Sequence, residues 1–184
     1  DNMSVYQKNE LEEDETSRTL SLVVDNQPGT LARVIGLFSG RGYNIESLTV
    51  SEIDSVKGYS RITIVTSGTD MVIEQIKALL DRLVPVHMVE DLTVQGPCLE
   101  RELALVKVVN AGESRIEALR IADMFRARAI DSTLNSFVFE LTGSPKKLNA
   151  FIELMSGLGE TEITRGGVVA ISRGSRIGLQ NAKS

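Results

Sequence analysis

The sequence predicts an α+β fold, two ferredoxin-like βαββαβ domains in tandem, and three observations carry that prediction. The first is an internal repeat: "RTLSLVVDNQPG" from Arg18 matches "RELALVKVVNAG" from Arg101, with Arg18, Leu20, Leu22 and Val23 facing Arg101, Leu103, Leu105 and Val106 at an offset of 83. Further on, Ser67-Gly68-Thr69 faces Thr142-Gly143-Ser144, and Ile76, Leu79 and Leu80 face Phe151, Leu154 and Met155, now at an offset of 75. Two copies of one module, the second shorter between its helices, explain both. The second observation is a period that switches between 2 and 3.6 in the order strand, helix, two strands, helix, strand. The third is glycine and proline punctuation at the expected joints.

The elements follow in order. "TLSLVV" reads as a strand and breaks on Asn26-Gln27-Pro28-Gly29. Leu31, Val34, Ile35 and Phe38 then fall at i, i+3, i+4 and i+7, one face of a helix that stops at Gly40-Arg41-Gly42. "NIESLTVSEI" and "SRITIVTS" alternate apolar and polar residues, the pattern of strands with one buried face. Val72, Ile76, Leu79 and Leu83 mark a second helix with Thr69 or Asp70 as its cap, and "PVHMVEDLTV" closes the unit. That order folds into a four-stranded antiparallel sheet with both helices on one face. The other face is expected to be bare and to seek a partner, most simply a second copy of the chain. The second unit repeats the plan with a strand near 101–109, a helix near 113–127, a hairpin near 129–142, a helix near 145–157 and a strand near 160–172. Leu148, Phe151, Ile152, Met155 and Leu158 share one face of its last helix. The expected divisions are a flexible acidic arm over 1–17, the first domain over 18–95, a linker over 96–100, the second domain over 101–174 and a flexible tail over 175–184.

Charge narrows the function classes. The net charge of −5 resides wholly in residues 1–17, where six acids face only Lys8, so the other 167 residues carry 19 acids and 19 bases. A neutral body argues against nucleic acid as a partner, although the closing "RGSRIGLQNAKS" is locally basic. No run has the ~20 apolar residues of a membrane span, and no secretory leader is visible. The single cysteine, Cys98, leaves no internal disulfide and no cysteine metal cluster, and reads as a small, half-buried linker residue. A cytoplasmic setting fits all of this.

Catalytic groups are scarce. His87 is the sole histidine and lies in a strand-like run, as a surface or edge side chain without an orienting partner or nucleophile. "GRGYNI" follows a helix and ends in Ile, which disqualifies it as a dinucleotide fingerprint. "ELEEDE" is an acidic run without shaped coordination. No enzyme is expected. Binding is expected at the first strand–helix turn instead. Pro28 keeps Gln27 extended, Gly29 allows a close approach to the backbone, and the amides from Thr30 and Leu31 open a helix whose positive end suits a carboxylate. Asn26 and Asn44 flank that helix, each offering a donor and an acceptor, and Ile45 is placed to contact an apolar side chain. Turn chemistry alone also accounts for Asn and Gly at such a joint, and Asn44 suits a left-handed helix exit.

The segment "RTLSLVVDNQPGTLARVIGLFSGRGYNIESLTV" closely resembles the N-terminal ACT domain of the regulatory (small) subunits of acetohydroxyacid synthase, also called acetolactate synthase. The resemblance continues through "SRITIVTSG", "IEQIKALLDRLVPVHMVEDLT", "ERELALVKV", "RIEALRIADMFRARAIDST" and "FVFELTGSPKKLNAFIELM", about Ser17 to Gly174. It implies a non-catalytic subunit that forms a homodimer, binds and activates the catalytic subunit, and confers feedback inhibition by a branched-chain amino acid, usually valine. It implies no cofactor in this chain, with thiamine diphosphate, Mg²⁺ and FAD on the catalytic subunit. The implied effector site joins Asn26, Gln27, Pro28, Gly29, Thr30 and Leu31 of one chain to Asn44 and Ile45 of another. Gln27-Pro28 stands at a variable spot of the family pattern, and the acidic arm has no counterpart in it. Two alternatives are an assembly module with a vestigial pocket and a ligand-responsive transcription regulator; against the second stand the neutral body and the lack of a helix-turn-helix.

Overall fold

The computed structural model describes residues 15–94, 96 and 98–178. The first half contains β1 (Thr16–Asp25), α1 (Thr30–Gly40), β2 (Ser47–Asp54), β3 (Tyr59–Gly68), α2 (Asp70–Asp81) and β4 (Val86–Asp91). Its strands lie in the order β2-β3-β1-β4, every pair antiparallel. The second half contains β5 (Leu99–Val109), α3 (Glu113–Met124), β6 (Arg128–Ser132), β7 (Ser136–Gly143), α4 (Pro145–Ser156), β8 (Glu160–Arg165) and β9 (Val169–Ile171). The order β6-β7-β5-β8 reproduces the first sheet, and β9 adds to the opening residues of β5. The chain is thus two ferredoxin-like units, as the pattern predicts. Among the described residues no helix is long and apolar enough to cross a membrane.

Each unit has its own core between sheet and helices. Leu20, Leu22 and Val24 of β1 meet Val34 and Phe38 of α1 and Ile76 of α2. Ala104, Val106 and Val108 of β5 meet Ala118 of α3 and Phe151 and Met155 of α4. The second helices begin alike: the Thr69 hydroxyl accepts from the Val72 amide in α2, and the Ser144 hydroxyl accepts from the Lys147 amide in α4. The offset of 75 therefore pairs residues of equal role, with Ile76 and Phe151 both at 0% exposure.

The offset of 83 does not. Leu20 is fully buried, whereas its sequence match Leu103 is 44% exposed, on the face of its sheet away from the helices. Successive strand residues point to opposite faces, so a pairing of cores requires an even offset. An offset of 84 sets Val24 against Val108 and Asn26 against Asn110. The α2 face is also rotated from the expected one: Ile73, Ile76 and Leu80 are buried, while Leu79 is only half-buried.

The expected bare face of the first sheet is covered in part by the chain itself. This face is largely polar, presenting Thr19, Ser21, Thr49, Arg61 and Thr63, with Thr19, Ser21 and Thr63 buried. The Thr19 hydroxyl donates to the Glu100 carboxylate, Arg176 pairs with Glu90 at 2.6 Å, and Gly178 lies against the same Glu90. The expected strand over 160–172 is divided at Gly166-Gly167, where Gly167 takes φ 85°. Three edges also move. Thr16 and Ser17 begin β1, Leu99 and Glu100 begin β5, and Arg176 of the expected tail is ion-paired, while residues 1–14 and 179–184 lie outside the described set.

Candidate functional site

β1, an inner strand, delivers its last residues to one end of the sheet, and β4 and the β2–β3 turn hold them there. The Asp25 amide donates to the Pro85 carbonyl at 2.9 Å, and its carboxylate takes a 2.5 Å hydrogen bond from His87, whose ring lies 4.7 Å from that of Tyr59. His87 is therefore a strut beneath the turn and not a free edge side chain. Asn26 donates its backbone amide to the Gly58 carbonyl at 2.7 Å, and Gly58 itself follows a turn in which Asp54 accepts from the Val56 and Lys57 amides. The Asn26 side-chain Nδ2 donates to Glu52 Oε2 at 2.7 Å, so the β2–β3 hairpin fixes both the backbone and the side chain of this residue.

Gln27, Pro28 and Gly29 are exposed and carry the chain into α1. Gly29 is the N-cap residue, in the left-handed conformation at φ 85°, ψ −11°, and no side chain caps the helix. The Thr30 amide donates to the Gln27 carbonyl at 3.3 Å and the Arg33 amide to the Gly29 carbonyl at 3.1 Å. The amides of Leu31 and Ala32 have no acceptor among the described residues, so the outward donors are these two and not those of Thr30 and Leu31. Thr30 is itself buried, and Leu31 is 37% exposed beside the open amides. A helix start with two free N–H groups and the positive end of the dipole is a ready carboxylate site.

Asn44 lies at the other end. α1 has 11 residues, so its ends stand about 16 Å apart at the usual rise per residue. Gly42, at φ 70°, makes the left-handed exit, and among the described residues Arg126 is the only non-glycine with positive φ. Asn44 is thus not there for helix-exit geometry. Its carbonyl accepts from the Thr66 hydroxyl at 2.5 Å, while its side chain is exposed and has no partner among the described residues. Ile45 is half-buried against the first core, and the next residue, Glu46, accepts from the Ser67 hydroxyl. The structure therefore brings Asn26, Gly29 and Leu31 together at one end of α1 and holds Asn44 and Ile45 apart at the other. In a single chain the residues of the expected site thus form two separate groups.

Ala32, Glu52, Gly58 and the Asp25–His87 pair escape the sequence reading. Glu52 had a signal: it shares the parity of Leu48 and Val50, which aims a charged side chain at the helix face of the sheet. A separate cavity of about 740 Å³ lies between the domains, lined by Glu46, Ser47 and Leu48 on one side and Glu102, Arg165 and Val168 on the other. Within it Glu102 is buried and held by Arg165. Away from both places, burial and then the neighbouring Glu100 push the Cys98 thiol above its ordinary range. On the exposed face of the second sheet, the hydrogen bond between Lys107 and Glu162 raises the ammonium and lowers the carboxyl.

Known proteins resemble this chain along most of its length. A family model described as "AHAS small subunit-like ACT domain" matches residues 20–88, and one described as "Small subunit of acetolactate synthase" matches residues 101–174. The "Acetolactate synthase isozyme 3 small subunit" of Escherichia coli is 45% identical over 161 residues, 87% of this chain and 98% of that protein. The "Probable acetolactate synthase small subunit" of Archaeoglobus fulgidus is 43% identical over 158 residues, 86% of this chain and 98% of that protein. Among solved structures, the acetolactate synthase small subunit of Thermotoga maritima superposes with a TM-score of 0.78 at 36% identity, covering 88% of this chain and 99% of that one.

Proposed function

The chain belongs to the acetolactate synthase small-subunit family, and from that premise we propose that it is the non-catalytic regulatory subunit that binds and activates the catalytic subunit and imposes feedback inhibition by a branched-chain amino acid. In this reading the effector is valine or a close relative, and thiamine diphosphate, Mg²⁺ and FAD belong to the catalytic partner. The observation that carries the reading is the split site. An uncapped helix start at Gly29, with the Leu31 and Ala32 amides open, is separated by the length of α1 from the partnerless amide of Asn44. Two copies of the chain, each placing its Asn44 over the other's Gly29 turn, complete two pockets. The effector carboxylate goes to the amides, Asn26 and Asn44 take polar groups, and Leu31 with Ile45 meets the aliphatic side chain. Effector binding then depends on how the two first domains sit together, which is the differential affinity that a regulatory switch requires.

The test mixes this chain with its catalytic subunit and measures turnover with and without valine. The chain alone is expected to be inactive, to raise the partner's turnover on mixing, and to hand it sensitivity to valine that Asn26→Ala removes without removing activation. Activation with no response to any branched-chain amino acid leaves an assembly module. No change in turnover on mixing overturns the reading.

A further inference from the structure

Glu52 is a charged group of the same chain that touches the candidate site through the Asn26 side chain, and no feature of the helix start explains it. It lies in β2 opposite Ser60 of β3, while Ser60 in turn lies opposite Val24 of β1. These pairings put Glu52 on the helix side of the sheet, the side on which Asn26 follows β1. Ser60, between them, is small and 3% exposed, so the Glu52 side chain can reach across it to Asn26 Nδ2 at 2.7 Å. Two consequences follow. With one of its two side-chain N–H groups committed to Glu52, Asn26 keeps Oδ1, an acceptor, and a single N–H for anything bound at the turn. Glu52 adds a carboxylate whose other oxygen, Oε1, has no partner among the described residues. The turn thus carries two open amide donors, at Leu31 and Ala32, and two acceptors, Asn26 Oδ1 and the Glu52 carboxylate bound to Asn26. A simple anion is repelled by that second pair. A zwitterion with an anionic and a cationic group on one carbon is matched by it.

Resting on the proposed effector site, we propose that Glu52, acting with Asn26, is the specificity-determining residue that reads the α-ammonium and so separates an amino acid from the 2-keto acid of the same carbon skeleton. The two compounds share carboxylate and aliphatic side chain, and the helix amides and the apolar wall treat them alike. They differ where one carries three N–H donors and a positive charge and the other a carbonyl oxygen, which can only accept. Asn26 has a remaining N–H for either compound, but the Glu52 carboxylate has none, so the keto acid sets its own oxygen against an acceptor that is left unpaired.

The experiment is calorimetric titration of the chain with valine and, separately, with 3-methyl-2-oxobutanoate, for the wild type, Glu52→Gln and Glu52→Lys. Glutamine keeps an oxygen for the Asn26 amide and removes the charge, while lysine reverses it. Both substitutions fall at an exposed residue, and circular dichroism checks their folding. The wild type is expected to bind valine at least about tenfold more tightly than the keto acid, the scale of a lost hydrogen bond to a charged group. Glu52→Gln is expected to weaken valine about tenfold and leave the keto acid unchanged, and Glu52→Lys to reverse the preference. Valine affinity within twofold of wild type in Glu52→Gln, an equal loss for both ligands, or a gain in valine affinity would each overturn the assignment. A wild type that binds no valine at all overturns the proposed effector site itself, a different result from any of these.

Discussion

At the scale of single residues, two glycines, one capping α1 and one inside it, carry opposite meanings. Gly29 sits at φ 85° with nothing within 4 Å of where a Cβ would stand, so the space is open and only the backbone conformation demands glycine. Gly36 lies inside α1, exposed, with the same empty surroundings and no unusual φ. An L side chain in left-handed geometry costs about 1–2 kcal/mol, whereas alanine in a helix interior is about 1 kcal/mol better than glycine. Urea unfolding is therefore expected to show Gly29→Ala less stable than wild type by about 1 kcal/mol and Gly36→Ala more stable by about 0.5–1 kcal/mol. Equal shifts, or a stabilised Gly29→Ala, would contradict the assigned backbone. The role of Gly29 was legible because Asn-Gln-Pro-Gly between a strand and a helix leaves few conformations open. Ala32 was not legible, since which helix amides remain free depends on where the Gln27 and Gly29 carbonyls come to rest. Glu52 and His87 act across strands, and a strand's neighbours do not follow from its own sequence.

At the scale of elements, the pattern located every helix and all but one strand, and it erred on phase. In "MVIEQIKALLDRL" the apolar residues occur as neighbours, Val72 with Ile73 and Leu79 with Leu80, so two helix faces some 100° apart fit almost equally well. The sheet decides between them by burying Ile73 and Leu80. The repeat offset failed for a related reason. "LALVKVV" has apolar residues of both parities, and similarity alone cannot tell which parity faces the helices. The consequence is measurable. Leu20→Ala empties a fully buried position and is expected to destabilise by about 2–5 kcal/mol, while Leu103→Ala, at its sequence-matched but half-exposed position, is expected to change stability by about 1 kcal/mol or less. Equal losses in chemical denaturation would restore the offset of 83 and put the assigned β5 register in error. The break after β8 was invisible as periodicity because Val168, Val169 and Ile171 continue a strand-like composition past the glycines.

At the scale of the whole molecule, that break joins the domains alongside the Thr19–Glu100 hydrogen bond and the Arg176–Glu90 pair. The Val168 amide donates to the Ser47 hydroxyl at 2.8 Å, and the Val168 carbonyl accepts from the Thr49 hydroxyl at 3.0 Å. Alternate residues of β2 thus grip both backbone groups of one residue of the second domain through their side chains, and Val168 is left only 4% exposed. Gly167 makes this fit possible: a Cβ there would come within 2.8 Å of Thr49 Cγ2 and 3.2 Å of the Leu48 carbonyl. Two domains with separate cores unfold as one only while the contacts between them outweigh the difference in their separate stabilities. Ser47→Ala and Thr49→Val each strand a buried backbone group, and Gly167→Ala adds backbone strain and a collision, together roughly 3–4 kcal/mol of lost coupling. The chain supplies its own reporter. It has no tryptophan, and among the described residues its tyrosines, Tyr43 and Tyr59, both lie in the first domain. With the third tyrosine, Tyr6, replaced by phenylalanine in every variant and in the reference chain, tyrosine fluorescence follows that domain, and far-UV circular dichroism follows both. In urea the two signals are expected to coincide for wild type and to part in the triple variant. Signals that already part in the wild type, or still coincide in the triple variant, would remove the Val168 contact from its place in the coupling between the domains.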